Sequence, residues 1–259
     1  MPLTDEDRFH SELRTCTAQL AEIVFADPDH PVPTCPGWTF RKLATHVGRG
    51  HRWAAEIVVT RAQQVISVQE VPDGRLPDDP ARHAEWLNAG AEQVIAAVDA
   101  AGDDPVWTFT GPRPAGFWLR RRAHEAAVHL ADAQLAVGQE PDLAAGLAAD
   151  AVDEWLGILV SNSDIANPAG AWPGARGDGQ TLHFHATDDG LDGTGEWLVE
   201  RTQTGVTVTT GHTRADVAVR GSALGLLLVL CGRLPASDPA VQVLGDQALL
   251  AEWLSQTKF

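Results

Sequence analysis

The hydrophobic pattern of this chain changes period near residue 167, so no single kind of secondary structure accommodates both parts. In the first part apolar residues recur at helical spacing. Leu13, Cys16, Leu20, Ile23 and Val24 place a helix over residues 5–25, ended by Asp27-Pro28 and the prolines at 31, 33 and 36. A second helix runs from Phe40 past Ile57, with Thr39 placed to cap it and Lys42 where a capping box would want an acid. Its stripe of Leu43, His46, Val47, Gly50 and Trp53 turns His46 toward the apolar side. Asp78, Asp79 and Pro80 open a third helix through Ala100, with Trp86, Gln93, Val94 and Val98 on its inner face. The fourth covers Trp118 to Ala136 and stops at Gly138, and a fifth, Asp142 to Leu159, leads out.

Beyond residue 167 the grammar is that of strands. GAWPGARGDG reads as a linker or loop, and TLHFHAT, GEWLVER, GVTVTTG and ADVAVRG alternate like half-buried strands. Ser222 to Cys231 is a helix candidate, Ala240 to Leu244 a short strand and Asp246 to Leu254 a last helix. The expected class is α+β: a four-helix bundle over residues 1–165, then a small α+β domain with an antiparallel-rich sheet over 175–259.

The formal net charge of −16 argues against nucleic acid and against anionic membrane surfaces, both of which would repel such a chain. The start, MPLTDEDRFHSELR, lacks an apolar signal core, and the apolar run Ala223 to Cys231 is too short to span a bilayer. A cytoplasmic protein is expected. Three cysteines do not make a disulfide framework. Cys16 and Cys231 read as core, and Cys35 as a turn residue ahead of Pro36-Gly37.

Chemistry concentrates in three residues. Glu125 and His129 lie four apart in HEAAVHLADA and share one helix face; His46 sits on the second helix. Two imidazoles and one carboxylate make a three-ligand metal set with a position left open, whereas structural zinc sites close with four protein ligands. The ordinary alternative is a solvated salt-bridge face. Asp132 lies on the same face, as an orienting partner for a ligand imidazole or as an exposed helix acid. Arg120, Arg121 and Arg122 form a dense basic run, suited to a substrate carboxylate or to a surface pair between Arg121 and Glu125. Trp118 walls a pocket or simply packs. His183 and His185 share a strand face and read as solvent-facing, since no third ligand is near in sequence. No GxSxG, GxGxxG or P-loop sequence is present.

The blocks around the ligands carry a resemblance. VPTCPGWTFRKLATHVGRGHRW (32–53), FWLRRRAHEAAVHLADAQLAVG (117–138) and VRGSALGLLLVLCGRLPASDPAVQVLGD (219–246) resemble, in order, the mycothiol-dependent maleylpyruvate isomerase family of the DinB-like metal-binding bundles. CPGW, a downstream His and HExxxH are its motifs. The resemblance implies that His46, Glu125 and His129 hold zinc, although a two-His-one-carboxylate set also suits iron or nickel. It implies mycothiol as cosubstrate, its zinc-bound thiolate adding to an electron-poor double bond that rotates and re-forms; if the thiol stays attached, the enzyme is an S-transferase. It also implies an arginine of the second domain that serves the reaction. Arg233 is the first candidate and Arg220 the second; a helix-end cation is the other role open to Arg233. A zinc hydrolase using water, and a non-enzymatic small-molecule-binding protein, are the competing readings.

Overall fold

A computed structural model describes residues 5–164, 175–191 and 193–257. The chain forms two compact units, residues 1–142 and 143–259. The first contains helices α1 (Asp5–Val24), α2 (Phe40–Val59), α3 (His83–Ala101) and α4 (Gly116–Ala136), with a minimal hairpin of β1 (Pro105–Val106) and β2 (Arg113–Pro114). α1 packs chiefly on α4 and α3, and α2 on α3 and α4, so α1 and α2 lie diagonally across a four-helix bundle. The alanines at 123, 126, 127, 131 and 133 of α4 are fully buried and let its neighbours approach closely.

The α1 stripe is buried at Leu13, Cys16, Leu20 and Val24, as its spacing requires. The local signals depart in three places. Thr39 occupies the N-cap position of α2 with extended backbone, but its side chain makes no capping hydrogen bond; Lys42 Nζ instead donates to Gly37 O at 2.8 Å. Asp79 accepts from Ala81 N at 3.0 Å and caps a short 3-10 turn over Pro80–Arg82, so α3 begins only at His83. Gln93 is exposed, because the inner face of α3 follows His83, Trp86, Leu87, Gly90, Val94 and Val98.

The second unit contains α5 (Ala145–Asp164), α6 (Ala223–Leu230) and α7 (Gln247–Gln256), with strands β3 (Thr181–Ala186), β4 (Glu196–Thr202), β5 (Gly205–Thr210), β6 (Val217–Gly221) and β7 (Val241–Gly245). The sheet order is β5-β4-β3-β6-β7; β3 and β6 pair in parallel, and the other neighbours are antiparallel. The class and the antiparallel-rich sheet agree with the sequence. Leu182, Phe184, Trp197 and Val199 point to one buried face. α5 packs on α6 and β5, so it belongs to the second unit, and the boundary falls earlier than the expected residue 165. Its apolar face is read equally well as bundle or as sheet cover, and only the partner settles which. Of the linker expected at 170–179, residues 170–174 lie outside the described residues. No described helix is long and apolar enough to cross a membrane.

Candidate metal centre

Packing of α2 against α4 brings His46, Glu125 and His129 together. Glu125 Oε2 lies 3.7 Å from His46 Nε2 and 3.6 Å from His129 Nε2, and the two rings meet edge to face at 5.0 Å. A tetrahedral zinc with bonds of about 2.0–2.1 Å spaces its donors roughly 3.4 Å apart, so these atoms fit such an ion with small movements. His129 is buried, and the Glu125 side chain is 10% exposed. His46 is 46% exposed rather than turned into the core, which leaves one side of the trio open.

The turn before α2 braces these ligands. Gly37 takes φ 81°, Trp38 N donates to Cys35 O (2.9 Å) and Val32 N to Trp38 O (3.0 Å), closing the VPTCPGW loop over α4. Its side chains reach the site. Trp38 contacts the rings of both His46 and His129. Thr34 Oγ1 donates to Asp132 Oδ1 at 2.6 Å, and Cys35 Sγ lies 3.6 Å from Asp132 Oδ2. Asp132 is wholly buried and bonds His129 Nδ1 at 2.8 Å, so it orients the imidazole and is not an exposed acid. With Nδ1 directed at Asp132, Nε2 is the nitrogen that faces His46 and Glu125 as the ligand atom.

The arginine run is partly internal. Arg121 pairs with Glu125 as the i,i+4 spacing anticipates, but with side chains 8% and 10% exposed the pair does not lie on a wet surface. Arg122 Nη1 lies 3.7 Å from Glu125 Oε2. Burial acts to raise the Glu125 pKa, yet Arg121, the contacts with His129 and His46, and Arg122 outweigh it and hold the carboxyl well below its usual range. Burial pushes His46 down against the opposing pull of Glu125. In His129 burial is outweighed by Asp132 and Glu125, and the imidazole is pushed up. The donor set is therefore an ionised carboxylate, a neutral imidazole and an imidazole whose proton a metal would displace.

Behind the trio, His51 is fully buried. Arg122 Nε donates to its Nδ1 (3.2 Å), which leaves Nε2–H for Thr17 Oγ1 (3.3 Å). Burial first, then Arg122 and Arg52, push the His51 pKa far down. With the folded value below the ordinary 6.5, the unfolded chain binds more protons between the two values, and stability falls as pH drops below about 6.5. His129 acts oppositely: its contribution is complete below about 6.5 and is lost as pH rises through its raised folded value. In chelator-treated protein, His51→Gln is expected to flatten the fall of the urea midpoint between pH 7 and 5.5. An unchanged slope would contradict a buried neutral His51.

A cavity of about 800 Å³ opens beside the trio, walled by Trp38 and Trp53 and reached by Arg41, Lys42, Arg49 and Arg122. This is a cationic wall on a chain of net charge −16. Lys42, Thr45, His46, Arg49 and Trp53 follow helical spacing on α2, a signal that the apolar stripe alone had hidden. Trp118 is 1% exposed and packs against Trp53, Trp107 and Phe117 without lining this cavity.

In the second unit, Arg233 follows α6, whose end is closed by Gly232 at φ 69° with Arg233 N donating to Leu228 O. Its Nη1 donates to Cys231 O at 2.7 Å. Arg220 pairs with Gln242 on β6 and β7. Of the two strand histidines, His183 is 3% exposed and not solvent-facing, while the His185 side chain is 24% exposed; both lie near Glu196. Pairing of β3 with β4 supplies that neighbour, which sequence proximity did not reveal.

Comparison with known proteins gives concordant matches. The domain model described as "Mycothiol maleylpyruvate isomerase N-terminal domain" matches residues 9–134, and that described as "MDMPI C-terminal domain" matches residues 146–252. The crystal structure of the mycothiol-dependent maleylpyruvate isomerase is similar, with a TM-score of 0.54, 16% identity and 93% of each chain covered. A single-residue mutant of that isomerase matches with TM-score 0.54, 14% identity and the same coverage. At these identities the likeness supports the fold. Among curated protein sequences no significant match is found.

Proposed function

Since this chain belongs to the mycothiol-dependent maleylpyruvate isomerase family, we propose that it is a metal-dependent enzyme using mycothiol to isomerise a small anionic electrophile, or to transfer the thiol onto it. The observation that carries this reading is the convergence of His46, Glu125 and His129 at one side of a cavity rimmed by cations. Held by these three residues, zinc would supply a Lewis acid that keeps a thiol as thiolate, the nucleophile that reversible addition to an electron-poor double bond requires. The protein does the rest. Asp132 fixes the His129 tautomer, and Arg121 and Arg122 keep Glu125 ionised. Trp38 and Trp53 wall the cavity, while Arg41, Lys42 and Arg49 suit a carboxylate of substrate or thiol.

The test is turnover of cis-unsaturated keto acids, maleylpyruvate first, by metal-loaded protein with and without mycothiol. Thiol-dependent cis–trans conversion supports isomerisation, and a stable thioether product supports S-transfer. Turnover indifferent to thiol would overturn the proposal in favour of a hydrolase using water. The resemblance alone brings Arg233 into the reaction. On that assignment Arg233→Ala removes a charge-assisted bond worth roughly 1.5–3 kcal/mol and lowers kcat/KM about ten- to a hundredfold with metal content unchanged. Full efficiency in that variant, with loss in Arg220→Ala, would transfer the role to Arg220.

A further inference from the structure

The sheet of the second unit carries another ligand cluster, away from its buried face. His185 on β3 stands directly opposite Glu196 on β4, and His183, two residues back, shares that face. Past the end of β5, Gly211 takes φ 129°, where a side chain would be strained, and the chain brings His212 over Glu196. The three imidazoles contact one another in pairs, edge to face, at 5.4–6.0 Å between ring centres.

Glu196 is their common partner. Its carboxylate oxygens lie 2.8 Å from His212 Nδ1, 3.4 Å from His183 Nε2 and 3.8 Å from His185 Nε2. These separations bracket the roughly 3.4 Å between donors around a tetrahedral zinc. One donor each from His183, Glu196 and His212 fall within 4.8 Å of one another. His183 Nε2 also bonds Gly211 O at 3.2 Å, a contact that an ion would displace along with the shared proton. Access is available from the His212 side, whose side chain is 74% exposed.

We propose that His183, His212 and Glu196, with His185 beside them, form a second metal site, distinct from the helical trio, for a borderline divalent transition ion such as zinc. Nitrogen-rich donors with one carboxylate select zinc, copper or nickel over calcium or magnesium. An ion there ties the β3–β4 pair to the connection leaving β5, so its consequence is bracing of the sheet. The site involves no residue of the proposed reaction, so its failure would leave that reading untouched.

The test is zinc titration by calorimetry on the full chain carrying His46→Ala and His129→Ala, after chelator treatment and a check of folding by circular dichroism. The expected result is one zinc per chain, with affinity falling at least about tenfold when His212→Ala is added, as loss of a ligand should exceed loss of a supporting contact. In parallel, zinc per otherwise wild-type chain should fall from two to one with His212→Ala, an exposed substitution. No zinc in the double variant, or binding indifferent to His212→Ala, would overturn the proposal.

Discussion

His129→Ala is expected to lower metal affinity at the helical trio by more than about a hundredfold and to take thiol-dependent turnover to background. Two effects combine. The substitution removes one of three donors, and supporting contacts alone already change metal affinity by about 10–100-fold. It also deprives Asp132, which is 0% exposed, of the imidazole that neutralises it. The bond from Thr34 Oγ1 remains, so the chain should stay folded at a cost of about 1–3 kcal/mol. Metal analysis alongside the melting temperature separates the two effects. A folded variant retaining the metal of the trio would contradict the ligand assignment.

Asp132→Asn is the subtler change, and it should weaken metal binding by about 10–100-fold without removing a ligand. The carboxylate accepts from His129 Nδ1 on one oxygen and from Thr34 Oγ1 on the other. An amide has a single acceptor oxygen, so one of these donors loses its partner. Loss of the charge also removes the main influence raising the His129 pKa, and makes Nε2 a poorer donor. Competition with a graded chelator series reads the change. The same affinity in Asp132→Asn and wild type would reduce Asp132 to packing.

Much of this was legible along the chain because it is local. The i,i+4 pair of Glu125 and His129 and the strand alternation of TLHFHAT and GEWLVER follow directly from side-chain period. What was not legible depends on residues far apart in sequence. Asp132 looked equally like an exposed acid until the turn bearing Thr34 and Cys35 covered it. His183 looked solvent-facing because its neighbours Glu196 and His212 arrive through strand register and a glycine turn, neither fixed by hydrophobic pattern. α5 has an apolar face that bundle and sheet satisfy equally, so its assignment waited on its partner.

In the proposed reaction a thiol reaches a metal held by His46, Glu125 and His129. Replacing zinc by cobalt(II) and adding mycothiol tests it most directly, because thiolate coordination to cobalt produces a charge-transfer absorption that other oxygen or nitrogen donors do not. This band is expected to appear on titration with mycothiol, to persist in His212→Ala and to disappear in His46→Ala. Saturation with mycothiol and no band in cobalt-loaded protein, or a band untouched by His46→Ala, would contradict it.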